Sequence, residues 1–167
     1  MKNAIDMKKV TPLSYMKNED KQEYALLSEM AEDAYKYIIS FTWCLEVLEQ
    51  YFGIGVGGVF AVFLFRIKPR AEDIDEWLWV IVGDLPPAYL VTDYAPNPPC
   101  ALSGYIERMQ EWVEAVQNGD SVKSLILVNV EPSIDNARKL QQRLEFLNAK
   151  ILNVYYLEDL KQSEVSP

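Results

Sequence analysis

Three apolar runs between Val56 and Tyr94 constrain the fold most. They are V-F-A-V-F-L-F-R-I from Val59 to Ile67, W-L-W-V-I-V from Trp77 to Val82, and A-Y-L-V-T from Ala88 to Thr92. Successive side chains of a strand point to opposite faces. On that rule Val59, Ala61, Phe63 and Phe65 face one way, and Phe60, Val62 and Leu64 the other. Both faces are apolar, so these strands need a covering layer on each side. The linkers K-P-R-A-E-D-I-D-E and G-D-L-P-P are short enough to join neighbouring strands. The simplest arrangement is an antiparallel meander.

Helical patterns flank these runs. One begins at a polar cap near Asn18 to Asp20. It continues through Tyr24, Leu27, Ala31, Ala34, Ile38, Phe41, Leu45 and Leu48, spaced 3, 4, 3, 4, 3, 4, 3. That seam predicts one helix reaching Gly53, with a break near Ser40 to Thr42. A second helix is expected from about Cys100 to Asn118, with Leu102, Tyr105, Ile106, Met109, Trp112, Val113 and Val116 on one face. A third opens at Glu131-Pro132-Ser133 and carries the seam Ala137, Leu140, Leu144, Leu147, Ile151 and Val154. The two seams suggest that the first and last helices pack along each other, or pair two copies of the chain. Residues 122–130 read either as a fourth strand or as an apolar connector.

The expected class is therefore α+β: a three- or four-stranded antiparallel sheet packed against long N- and C-terminal helices and a central helix. Residues 1–18 read as a flexible polar leader, 19–161 as one domain, and 162–167 as a polar tail.

Two tempting motifs fail on context. G-I-G-V-G-G at 53–58 resembles a phosphate loop, but such loops follow a strand and open a helix. Here the expected order is helix, glycines, strand, and the glycines read as a helix-to-strand turn that lets backbones approach. Tyr51 to Phe65 is uncharged for 15 residues. A spanning helix needs about 20, and Glu49 and Arg66 bound the run, so a buried strand is the expectation and no membrane span.

The net charge is −9, from 25 acidic and 16 basic residues. Such a surface repels phosphate backbones, so nucleic acid is not an expected partner. The first 15 residues lack a signal-peptide core, and a cytoplasmic setting is expected. Cys44 and Cys100 fit that setting as reduced thiols. The chain contains no histidine. That removes the commonest general base and metal ligand, along with Ser-His-Asp and Cys-His arrangements. No cofactor and no metal are expected.

The acidic residues concentrate in the strand-connecting loops, at Glu72, Asp73, Asp75 and Glu76, at Asp84, and at Asp93. The E-D-x-D-E run lacks the glycine and spacing of a calcium loop. Runs of this kind are most often solvated and discourage sheet-edge association. Trp77 and Trp79 share one strand face, near Tyr89, Tyr94 and Tyr105, as core rather than pocket.

The function expected from these features is non-enzymatic: an acidic protein-interaction domain that neutralises a basic protein partner, as an immunity protein does. The alternative is a small-molecule-binding domain or carboxylate-dependent enzyme, with a pocket at the sheet end near Asp84 and Asp93. A homodimer is the third expectation. The residues expected to contact a partner or ligand are Asp73, Asp75, Glu76, Asp84, Asp93, Tyr94 and Asn97, with none assigned a catalytic role.

Overall fold

The computed structural model describes residues 5–164. The fold is α+β, with a five-stranded antiparallel sheet among the described residues. The strands are β1 (Thr11–Pro12), β2 (Cys44–Val56), β3 (Phe60–Pro69), β4 (Trp77–Gly83) and β5 (Ala88–Val91), and they lie in sequence order across the sheet. Helix α1 (Lys21–Ile39) separates β1 from β2, and α2 (Pro98–Asn118) follows β5. Helix α3 (Ile134–Phe146) runs through a wide π-helical turn, Leu147–Leu152, into a short α4 (Asn153–Tyr155). Helix α5 (Leu157–Glu164) completes the order.

The sheet is buried on both sides. Ala61, Phe63, Phe65, Leu78 and Val80 pack with Leu27, Met30, Ala34 and Ile38 of α1. Phe60, Val62, Leu64, Trp79 and Ile81 pack with Tyr105, Met109 and Trp112 of α2 and with Ala137, Leu140 and Leu144 of α3. From Phe60 onward the alternation read in β3 matches these two cores; Val59, expected beside Ala61, lies in the turn before β3 and packs on the α2 side instead. Burial of side chains this size supplies the main driving force for folding. Trp79 and Tyr105 can be enclosed because each has a polar partner. The Trp79 indole donates to the Ala95 carbonyl at 2.9 Å, and the Tyr105 hydroxyl donates to the Pro86 carbonyl at 2.6 Å.

The first helix starts as expected: the Asp20 carboxylate accepts from the backbone N–H of Gln22 and Glu23. It ends at Ile39, however, and Cys44 to Val56 is a strand rather than its second half. The reason lies in β2's pairing with β3. Its register slips between Cys44 and Glu46, between Val47 and Glu49, and between Phe52 and Ile54. Each slip inserts one residue, so that two residues oppose one. The inserted residues are Leu45, Leu48 and Gly53, and across the first two slips side chains that would recur every second residue recur every third. That spacing imitates a helix, and Leu and Glu are strong helix formers.

The sheet also overturns the expected packing of first helix on last, because α1 and α3 belong to cores on opposite faces. The last seam is broken too. Leu147 is buried, but the next enclosed residue is Leu152, while Ile151 is half-buried and Val154 exposed. The π turn adds one residue, Asn153 donating to the Asn148 carbonyl, and shifts the stripe by one position. Residues 122–130 form no strand. They are a half-buried connector with Leu127 and Val130 exposed.

The glycine run is part of the β2–β3 hairpin. Gly58, at φ 79°, supplies the left-handed residue of its turn, and the Val59 N–H closes that turn on the Val56 carbonyl at 2.9 Å. Residues 5–18, expected as a loose leader, are tied to the body. Val10 and Met16 are buried, the Asp6 N–H donates to the Pro96 carbonyl, and Thr11 and Pro12 pair with β2. The expected leader at 1–4 and the tail at 165–167 lie outside the described residues.

Candidate functional site

The meander sorts the candidate residues between the two ends of the sheet. The loop of residues 70–76 leaves β3 and enters β4 at Trp77, and the pair Leu78↔Val91 places the end of β5 beside it. Asp73, Asp75 and Glu76 therefore share one end of the sheet with Asp93 and Tyr94, which follow β5. Asp84 follows Gly83 at the other end. Seven residues of β4 separate the ends, about 20 Å at strand rise. One pocket containing both Asp84 and Asp93 is therefore ruled out.

Asn97 is enclosed and its hydrogen bonds are structural. Its side-chain oxygen caps α2 by accepting from the Cys100 N–H. Its amide donates to the Asp159 carbonyl and to Gln162 Oε1. Tyr94, by contrast, is 84% exposed.

The acidic end also carries a charge network. Arg66 donates to Glu49 and, at 2.8 Å, to Glu76 Oε2, and the Tyr51 hydroxyl donates to Glu49. The Arg66 guanidinium lies 6.0 Å from the Trp77 ring centre. The hydrogen bonds from Tyr51 and then Arg66 hold the Glu49 carboxyl below its usual range. Glu76, then Glu49, hold Arg66 above its own. Both carboxylates are thus occupied by a fixed cation, which suits a surface clamp better than proton transfer.

The two outer strands of the sheet differ sharply. β1 covers β2 only at Tyr51 and Phe52, leaving the outer edge from Cys44 to Gln50 without a neighbouring strand among the described residues. That edge is guarded by its register slips and by Glu46 and Glu49. β5, Ala-Tyr-Leu-Val, has no described strand on its outer side, no register slip and no charge. Only the prolines before it, Pro86 and Pro87, restrain its start.

A groove of about 560 Å³ follows the β5 edge, within the range of binding sites. Ala88–Val91 form one side, and residues 124–127 line it with Tyr37, Arg108 and Glu111. Tyr89 projects on the α1 side, where its ring lies 5.0 Å from Trp43 and 5.2 Å from Phe41. Val91 and Leu127 are exposed in this groove. A second concavity, about 330 Å³, continues past Val91 to Tyr94, Gly104 and Glu107. Sequence reasoning reached the acidic loop and Tyr94 but missed Tyr37, Val91, Arg108, Glu111 and Leu127. The available signal was A-Y-L-V itself, the last apolar run before the prolines and hence an edge.

At the opposite end Asp84 borders a cleft of about 400 Å³ with Val59, Leu85, Lys139, Gln142, Arg143 and Phe146. Its carboxylate pairs with Arg143 at 3.2 Å. One carboxylate beside two cations does not supply the facing pair that carboxylate catalysis requires.

Both cysteines are free and buried, in different cores. Burial pushes both thiols upward, away from the reactive thiolate form. Among the described residues no group of three or more Cys, Asp or Glu is placed to hold a metal ion. None of the described helices is long and apolar enough to cross a membrane. Comparison with protein families, curated proteins and solved structures found no match to the chain.

Proposed function

We propose that this chain is a protein-binding domain that holds a basic partner protein. The observation that carries the reading is the unguarded edge of β5, a groove with apolar walls beside the acidic β3–β4 loop. Exposed apolar surface rimmed by polar residues marks interaction sites. A net charge of −9 steers cationic proteins toward it and repels nucleic acid. Neutralisation of a basic partner, as an immunity protein performs it, is the concrete form of the proposal.

The test uses the full chain as bait in an extract of its own host, eluted with a salt gradient. A second bait carries Glu72→Gln and Asp73→Asn, both exposed loop positions. The reading expects a basic protein retained at low salt, released by salt, and held less well by the second bait. Retention of nothing at low salt, or equal retention by both baits, removes its support.

A further inference from the structure

We infer that the outer edge of β5 receives an extended segment of the partner as an added strand, apolar at alternate residues and basic where it passes the Val91 end. The inference rests on the protein-binding reading above and names its mode.

Strand addition needs an open edge with backbone groups free to pair, and side-chain sites that alternate between two faces. β5 meets both requirements. It is the last strand of the sheet and its pairing with β4 is regular. Tyr89 and Val91 align with Val80 and Leu78 on the α1 face, whereas Ala88 and Leu90 align with Ile81 and Trp79 on the α2 face. An incoming strand therefore sets alternate side chains against Tyr37 and Tyr89 on one side, and against Leu90 and Leu127 on the other. Leu127, 68% exposed, gains a cover. Four residues of β5 span about 13 Å, enough to pair a segment of similar length.

Charge sets the partner's chemistry. The loop bearing Glu72 and Asp73, both exposed, stands at the Val91 end of β5, its Glu76 already held by Arg66. Glu107 and Glu111 stand exposed on α2 nearby, with Arg108 paired to Glu111 at 3.3 Å. A lysine or arginine at that end of the segment meets this surplus. β2 offers the contrast. Its free edge presents Glu46 and Glu49 and is interrupted by register slips, so it lacks the regular ladder that β5 offers.

The experiment measures binding of two fluorescent peptides to the full chain. One alternates valine with lysine. The other has the same composition, with its backbone amides N-methylated at alternate residues so that it cannot pair. The inference expects the first peptide to bind and the second to lose about tenfold, the size of one or two lost hydrogen bonds. Val91→Lys, at an exposed site that tolerates lysine, lowers affinity for the first peptide by a similar factor. Glu72→Gln with Asp73→Asn weakens binding and flattens its salt dependence. Equal binding of both peptides, indifferent to Val91→Lys, overturns strand addition. If the loop substitutions still weaken that binding, the acidic-surface reading stands without it. No binding of either peptide overturns the inference. A concentration-dependent dimer of the chain, lost in Val91→Lys, assigns the edge to a second copy and also overturns it.

Discussion

The Asn97 side-chain amide donates to the backbone carbonyl of Asp159 at 2.9 Å, across 62 positions of sequence. The same side chain caps α2 through Cys100 and reaches Gln162, and Lys9 pairs with Asp159 at 2.7 Å. One buried residue thus fastens α5 and the N-terminal segment to the start of α2. Asn97→Ala removes the cap and leaves buried polar groups unpaired, a loss of about 2–3 kcal/mol. Asn97→Ser keeps a capping oxygen but no amide, and its stability falls between the two. Urea denaturation measures both. An alanine variant as stable as the parent contradicts the clamp.

Gly83 sits at φ 146°, and a Cβ there would collide with the Val59 carbonyl oxygen. Backbone cannot yield as a flexible side chain does. Gly83→Ala is expected to cost about 2–4 kcal/mol. Gly58→Ala faces open space and only the left-handed penalty, about 1 kcal/mol. The ratio of the two losses in denaturant titrations tests the close packing of the two hairpins.

Tyr37 packs beside Phe41, and burial, the larger cause, together with Tyr89 pushes its phenol from 10.0 to about 12. The sign follows from linkage. The folded form holds the proton longer than the unfolded chain, so this contribution is fully present below pH 10 and is lost as pH rises toward 12. Stability measured across the alkaline range declines in that window, and Tyr37→Phe shows a smaller decline. An identical pH profile for Tyr37→Phe contradicts burial of this hydroxyl. Burial holds the Tyr105 phenol higher still.

Cys44 and Cys100 are buried with raised thiols. An aromatic disulfide reagent at neutral pH is expected to label neither quickly in the folded protein and both in denaturant. Rapid native labelling of Cys100 indicates that α5 opens, since its thiol faces the Asp159 carbonyl at 3.4 Å.

Where the backbone is regular, the sequence reads directly. β3 shows its two faces because apolar residues alternate without interruption, and α1 shows its start because Asp20 is a capping residue. β2 could not be read because Leu45 and Leu48 are inserted residues, which turn a period of two into a period near three. The π turn after Phe146 hid in the same way, moving the buried stripe from Ile151 to Leu152. β1 is two residues long and owes its existence to a ladder with Tyr51 and Phe52, which no local pattern announces. At the candidate site the charges were legible and the neighbourhoods were not. Asp84 and Asp93 are nine positions apart in sequence, yet the hairpin sends them to opposite ends of the sheet. Asn97 carries polar chemistry that packing has already consumed.

Amide hydrogen exchange of β5, with and without the alternating valine–lysine peptide, tests strand addition most directly. The Ala88–Val91 amides that do not pair with β4 exchange quickly in the free protein and become protected on binding, with no matching change along Cys44–Gln50. Slow exchange at these amides in the free protein, or no added protection at saturating peptide, contradicts an open and receptive edge.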